Sequence, residues 1–253
     1  MIFGGVTIKE VIVFETQVMM GAQFGRVKQA KKPEDLMIAC LRMGWNDAFR
    51  HTSENVKTPD GKQTILEKEN KKYAKGPMQD DVICCEILNT EIVLDTFKEY
   101  AATTDKVQVV ERHFEKLKGL FGRYKKLCGP RSFCFGHIQK MFNIALKLYV
   151  CLYLCREYLG LTDRLFDKEI LNGLSYADCP VDSIILNDIS KRSGDKQYRQ
   201  YVWSHFGRDD NPTDRYTSTQ EKIDQLNDKD GNAGKSRLYY DFTRWRSDEV
   251  EQM

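Results

Sequence analysis

The sequence predicts a mainly α-helical protein with a small β element near its N-terminus, and three patterns lead to this fold class. Residues 80–101 carry apolar side chains at helical spacing, and residues 137–158 are apolar almost all round, which is typical of a buried helix. Residues 6–14 are rich in β-branched side chains, so we expect a strand within 6–20. A disordered or partner-bound arm would share that composition.

The other elements follow from turn and helix-start signals. Pro33 precedes two acidic residues and begins a helix towards Phe49, whereas 58–61 is a Pro-Asp-Gly turn within a short hairpin. The polar composition of 207–236 predicts a loop or a partly ordered segment. We expect a single mainly helical unit over 1–253. Further helices are predicted at 106–127, 163–172, 181–191 and 195–206, and a last ordered piece at 237–246.

The charge of the whole chain gives little indication of a partner, since 39 Lys and Arg residues nearly balance 37 Asp and Glu residues. Charge is uneven along the chain, however. The segment 106–147 holds ten Lys or Arg residues against only two acidic ones. Such a basic segment indicates either contact with phosphate groups or a solvated helix face.

The eight cysteines include no C-x-x-C pair, and the N-terminus lacks the basic start and long apolar run of a signal peptide. We therefore expect a cytoplasmic protein with free thiols, no metal site and no cofactor. The apolar run 141–155 is interrupted by Asn143 and Lys147 and is short for a bilayer, so we expect no membrane association.

A narrow polar stripe marks the apolar helix. On a helical wheel Asn143, Lys147 and Cys151 fall within about 60° of Lys140. Lysine is seldom buried without a partner, so the stripe either faces a strip of solvent or lines a cleft. In a cleft, desolvation would favour a neutral, nucleophilic amine, and Gly136 with the free N–H groups of the helix start would admit a phosphate.

The Pro-Val-Asp element over 180–182 reads as the start of another helix. Asp178 is the predicted N-cap, with Pro180 in the first turn. Asp182 would then favour the helix dipole from the first turn. Alternatively, Asp182 faces the Lys140 stripe, where it could stabilise positive charge developing on a sugar ring or activate a nucleophile.

The pattern Gly136-x-x-x-Lys140, followed by an apolar helix and a Val-Asp pair at 181–182, resembles the helix-hairpin-helix DNA glycosylase superfamily. In that family a glycine-rich hairpin grips the DNA backbone, a lysine follows it in bifunctional members, and an aspartate opens a later helix. The likeness covers 136–185, about a fifth of the chain, and the hairpin lacks the second glycine of the common form.

The likeness extends to the archaeal 8-oxoguanine glycosylases, which carry a Gln-Lys pair, a second lysine seven residues on, and a Pro-Val-Asp element. In this sequence these are Gln139-Lys140, Lys147 and Pro180-Val181-Asp182.

The resemblance implies a helical, bundle-like glycosylase architecture with a catalytic core at 80–206. It implies a base-excision N-glycosylase that binds DNA, flips out a damaged base and has abasic-site lyase activity. Lys140 would be the Schiff-base nucleophile and Asp182 the catalytic carboxylate. The residues implied for substrate binding are Gly136, His137, Gln139, Asn143 and Lys147. The candidates for stacking on the flipped base are Trp45, Phe142, Trp203 and Trp245.

Two other classes of protein fit parts of the pattern. Arg131 and His137 resemble the R-x4–6-H element of the HEPN ribonucleases, which cleave RNA without a metal. A helical module that binds nucleic acid or a nucleotide without turnover would also use a cleft at Lys140. Asp47 and His51 lie four residues apart near a helix end, where helix capping is the expected use.

Overall fold

A computed structural model describes Thr16 and residues 20–49, 135–173, 177–206 and 212–244. Every regular element in these ranges is a helix, which confirms the mainly α-helical class. Thr16 and Met20, the two described residues of the predicted strand, are helical. The rest of that strand, the hairpin at 58–61 and the helices predicted at 80–101 and 106–127 lie outside the described residues.

Nine α-helices and three 3-10 turns make up the described part of the chain. The α-helices are α1 (Phe24–Gln29), α2 (Pro33–Phe49), α3 (Phe135–Leu154), α4 (Arg156–Leu159), α5 (Lys168–Gly173), α6 (Ser183–Ser193), α7 (Gln197–Gln200), α8 (Pro212–Lys229) and α9 (Arg237–Arg244). The 3-10 turns are Gly21–Gln23, Asp163–Leu165 and Trp203–His205.

The core forms around α3, which packs along most of α2. Both helices bury their facing side chains, as the apolar composition of α3 predicts. The two backbones come close at Gly44, where an added Cβ would overlap the carbonyl oxygen of Met141. Residues of this shared core include Leu36, Cys40, Phe142, Ala145, Leu148 and Tyr149.

The C-terminal helices form a second group around α6, which contacts α7, α8 and α9. The Trp203–His205 turn packs against α3, and residues 177–182 run between α3 and the pair α8 and α9. The two groups therefore meet along the polar stripe of α3. None of the helices in the described ranges has the length and apolarity needed to cross a bilayer.

The helix α8 corrects the expectation of a polar loop over 207–236 across most of that range. Its buried face is at helical spacing, but half of the residues on that face are polar, so the apolar periodicity is hidden. The buried residues are Tyr216, Thr219, Gln220, Ile223, Leu226 and Asn227.

Two other predictions change in detail. The single helix expected over 195–206 is interrupted, because Tyr201 and Val202 adopt extended backbone angles between α7 and the Trp203–His205 turn. The first turn of α3 takes in 135–138, so the stretch matched to a family hairpin is helical here.

Candidate functional site

The polar stripe of α3 is buried. Lys140 is 7% exposed and Lys147 is 6% exposed, while Gln139 and Asn143 are almost fully covered. The alternative of a strip of solvent is therefore wrong. A buried lysine requires a partner for its charge, and both lysines have one.

Lys140 lies between two carboxylates. Its Nζ is 2.9 Å from Oδ2 of Asp47, near the end of α2, and 3.6 Å from Oδ2 of Asp182, at the start of α6. The same Nζ lies over the indole of Trp203, 4.7 Å from the ring centre. Among the described residues two carboxylates thus flank one amine. Asp47 is the more exposed of the two carboxylates, since about a third of that side chain reaches solvent.

Asp182, and not Asp178, is the N-cap of α6. Its Oδ1 accepts hydrogen bonds from the N–H groups of Ile184 at 2.9 Å and Ile185 at 3.1 Å, while Oδ2 faces Lys140. The carboxylate is thus held by the helix end through one oxygen and meets the amine with the other. Asp178 is instead buried, where it accepts hydrogen bonds from other helices.

The first turn of α3 packs against the Trp203–His205 turn. The N–H of Gly136 donates to the carbonyl of Phe206 at 3.2 Å, and a Cβ at Gly136 would overlap the carbonyl oxygen of Trp203. The buried ring of His137 meets the indole edge to face, 5.4 Å between centres. The close approach that Gly136 allows is therefore to protein backbone, and it sets Trp203 beside Lys140.

Asn143 and Gln139 connect the stripe to residues 177–182. The amide of Asn143 donates to the carbonyl of Cys179 at 3.3 Å and to the Tyr216 hydroxyl at 2.9 Å. That hydroxyl donates in turn to Asp178 at 2.9 Å. The amide of Gln139 contacts the backbone of Val181. The polar groups of the stripe are thus engaged with the protein in this structure.

Asp178 is also fixed from the C-terminal side. Arg237, in the first turn of α9, donates to Asp178 at 2.9 Å and to Asp224 of α8 at 2.7 Å. Burial lowers the pKa of the Arg237 guanidinium, but the hydrogen bonds and charges of the two carboxylates together outweigh it, so the pKa is raised. This cluster ties both C-terminal helices to residues 177–182.

Lys147 forms a second buried ion pair, with Asp241 of α9. Its Nζ also lies 5.6 Å from the ring centre of Phe242. Burial raises the pKa of the Asp241 carboxyl, and the nearby Lys147 opposes that shift. Asp182 and Lys140 act on the same carboxyl electrostatically, so the two ion pairs belong to one charged region.

The sequence does not predict that Asp47 and Asp241 belong to this region, and it does not distinguish Trp203 from the other stacking candidates. The sequence predicts helix capping for Asp47, but Asp47 lies three residues after Gly44 and hence on the face of α2 that crosses α3. Asp241 follows the half-buried Tyr239 and the buried Tyr240, and no sequence motif marks it. Trp203 was one of four stacking candidates, and of the others Phe142 is in the core. The Trp45 side chain and Trp245 lie outside the described residues.

The described part of the chain contains no group of His, Cys, Asp and Glu side chains arranged to hold a metal ion. Its cysteines, Cys40, Cys151, Cys155 and Cys179, are free and buried. No protein-family model, curated protein or solved structure matches this chain.

Proposed function

We propose that this protein is a DNA base-excision N-glycosylase with abasic-site lyase activity, in which Lys140 is the nucleophile and Asp182 the catalytic carboxylate. The supporting observation is the 3.6 Å distance between Lys140 Nζ and Asp182 Oδ2. These groups are far apart in the sequence and lie on different helices. Their approach is the geometry that amine chemistry at a glycosidic bond requires.

Asp182 suits the task of stabilising positive charge at C1′. The N–H groups at the start of α6 hold one of its oxygens in place. The other oxygen is therefore already oriented, and the side chain needs no rearrangement when the glycosidic bond ionises. As the C1′–N bond breaks, its electron pair leaves with the base, which takes up a proton. The carboxylate offsets the charge left on the sugar.

Lys140 then acts as the amine. Its ammonium passes one proton to Asp47 or Asp182, both within 3.6 Å of Nζ, and the free nitrogen pair bonds to C1′. Opening of the sugar ring gives the imine, which permits β-elimination of the 3′ phosphate, and water finally releases the lysine. The Trp203 indole covers one side of the amine and keeps water from it.

The test is borohydride trapping on a duplex with one abasic site. Wild-type protein is expected to form a covalent protein–DNA band, because borohydride reduces the imine to a stable amine. Lys140→Arg keeps a cation between Asp47 and Asp182 but forms no imine, so the band should disappear while the protein stays folded. Absence of a band with folded wild-type protein would exclude the lysine mechanism.

Two matched variants make the result specific. Lys147, for which the resemblance implies substrate binding, is paired with Asp241 in this structure; Lys147→Arg keeps that cation and should retain the band. Asp182→Asn keeps an equally good N-cap for α6 and removes the charge, so stability should hold while trapping slows about 100-fold or more. Equal trapping by wild type and Asp182→Asn would remove Asp182 from the mechanism.

A second candidate is a helical module that binds nucleic acid or a nucleotide without turnover. The two carboxylates at Lys140 favour this candidate, because a buried ion pair can join helices without taking part in any reaction. DNA binding by wild type, together with no trapped band and no base release, would support it. The RNA-cleaving alternative gains no support from His137, which is buried against Trp203.

A further inference from the structure

Gln139 makes a two-point contact with the backbone of Val181. Its Nε2 donates to the Val181 carbonyl at 2.7 Å, and its Oε1 accepts from the Val181 N–H at 3.1 Å. The side chain is 1% exposed, so water does not compete for these bonds. Both amide atoms of Gln139 are therefore occupied by one residue of the 177–182 segment.

The location of this contact couples the two proposed catalytic groups. Gln139 precedes Lys140 in α3, and Val181 precedes Asp182 at the cap of α6. The carbonyl and N–H of Val181 fix the orientation of the Gln139 amide, and Nδ2 of Asn143, one turn on, lies 3.3 Å from its Oε1. The backbone next to the carboxylate is thereby held to the backbone next to the amine.

We infer that Gln139 is a positioning residue that sets the distance between Asp182 and Lys140, an inference that rests on the proposed function. The resemblance implies substrate binding for Gln139, but both of its amide atoms are bonded to Val181, so we infer that it acts through Asp182. Displacement of a reacting group by about 1 Å can slow chemistry about 100-fold, so loss of this contact should act on the chemical step.

The chain contains a matched control. Gln220 of α8 holds Cys179 in the same way, with Oε1 accepting from the Cys179 N–H at 3.1 Å and Nε2 donating to its carbonyl at 2.7 Å. It is also fully buried, but its contact lies three residues from Asp182, whereas that of Gln139 adjoins it. A general structural effect should therefore appear in both glutamines, and a positioning effect mainly in Gln139.

The first readout is kinetic. Gln139→Met keeps the shape of the side chain and loses both hydrogen bonds, and Gln220→Met does the same at the control site. With protein in excess over abasic duplex, Gln139→Met is expected to lower the maximal single-turnover trapping rate about 100-fold, while the protein concentration that gives half this rate stays within about twofold. Gln220→Met should lower the maximal rate less than about threefold. Equal losses in the two variants would overturn the inference.

The second readout does not need catalytic activity. Acetic anhydride in limiting amount labels lysines according to their reactivity, and mass spectrometry compares Lys140 with Lys147 in one sample. In Gln139→Met the Asp182 carboxylate should hold Lys140 less well, so the Lys140 to Lys147 ratio should rise about threefold or more. Gln220→Met should leave the ratio unchanged.

These outcomes separate the inference from the proposed function. A changed labelling ratio without any trapped band in wild type would leave the positioning role and remove the lyase. A trapped band with an unchanged ratio in folded Gln139→Met would remove the positioning role alone. Should Gln139→Met not fold, Gln139→Asn is measured in the same way, since it keeps a neutral amide but is one methylene too short to bridge both backbone groups of Val181.

Discussion

The two buried lysines of α3 are alike in exposure and differ in surroundings. Lys140 has two carboxylates and an indole, and one of those carboxylates reaches solvent. Among the described residues Lys147 is paired with Asp241, which is almost completely buried. The first arrangement keeps one carboxylate in contact with solvent, whereas the second joins α3 to α9.

Lys147→Met should therefore act on stability. The change leaves the Asp241 carboxylate buried without its cation, which costs roughly 3–5 kcal/mol of unfolding free energy. In the double variant Lys147→Met/Asp241→Leu both charges are gone, and stability should return to within about 1–2 kcal/mol of wild type. Urea denaturation followed by circular dichroism measures both values. A loss below about 1 kcal/mol in the single variant would contradict the structural role of the pair.

At the scale of single residues, the sequence predicted that Asp182 could face Lys140, as it does in the structure, but it did not predict the second carboxylate. Asp182 was found because a Pro-Val-Asp element is visible in the chain. Asp47 reaches Lys140 only through the crossing of α2 and α3, and that crossing depends on tertiary packing at Gly44. The requirement that a buried lysine be paired predicts a carboxylate but does not say which one.

Among the elements, α3 is placed by two close backbone contacts. Gly44 brings α2 against Met141, and Gly136 brings the start of α3 against Trp203. Both glycines lie in helices, where alanine would otherwise be favoured. The contacts lie on either side of Lys140 along α3, so they set where the amine stands relative to Asp47 and Trp203.

Gly136→Ala is expected to destabilise the protein by about 1–3 kcal/mol or more, because the methyl group overlaps the Trp203 carbonyl and backbone must move. Gly25→Ala is the matched control. Gly25 is an exposed helical glycine of α1 where a Cβ meets nothing within 4 Å, so this change should stabilise by about 0.5–1 kcal/mol. The melting temperatures of the two variants, compared with that of wild type, test this prediction. Opposite signs are expected, and stabilisation in both would show that the Gly136 contact relaxes freely.

Sequence patterns predicted α3 well and α8 not at all. Almost all side chains of α3 outside the polar stripe are apolar, so the helix is easily recognised from the sequence. The buried face of α8 includes Gln220, whose amide is satisfied by the backbone of Cys179. Residues of that kind count as polar in any pattern, although in the fold they are interior residues.

For the whole molecule, burial of thiols links stability to alkaline pH. Burial raises the pKa of the Cys40 and Cys179 thiols well above their ordinary value. Both stay protonated in the folded protein when the unfolded chain begins to ionise, near pH 8.5. The stability they give is therefore fully present below that pH and is lost as the pH rises towards the folded values.

The free energy of unfolding should consequently fall between pH 8.5 and 9.5 by up to about 1.4 kcal/mol per pH unit for each such thiol. Urea denaturation under reducing conditions at pH 7.5, 8.5 and 9.5 measures the slope. Cys40→Ala/Cys179→Ala should flatten the pH dependence relative to wild type, whatever it does to stability at pH 7.5. Parallel curves for the two proteins would show that neither thiol is shielded from ionisation.

The 177–182 segment joins the two helical groups, and its proline has a consequence for their alignment. Gln220 and Gln139 accept hydrogen bonds from the backbone N–H groups of Cys179 and Val181, respectively. Pro180 has no N–H and lies between these two residues. A shift of the segment by one residue in either direction would place Pro180 opposite the Oε1 atom of Gln139 or Gln220, which accepts a hydrogen bond from a backbone N–H. Pro180 thus favours the observed register of the segment and disfavours the two registers that are shifted by one residue.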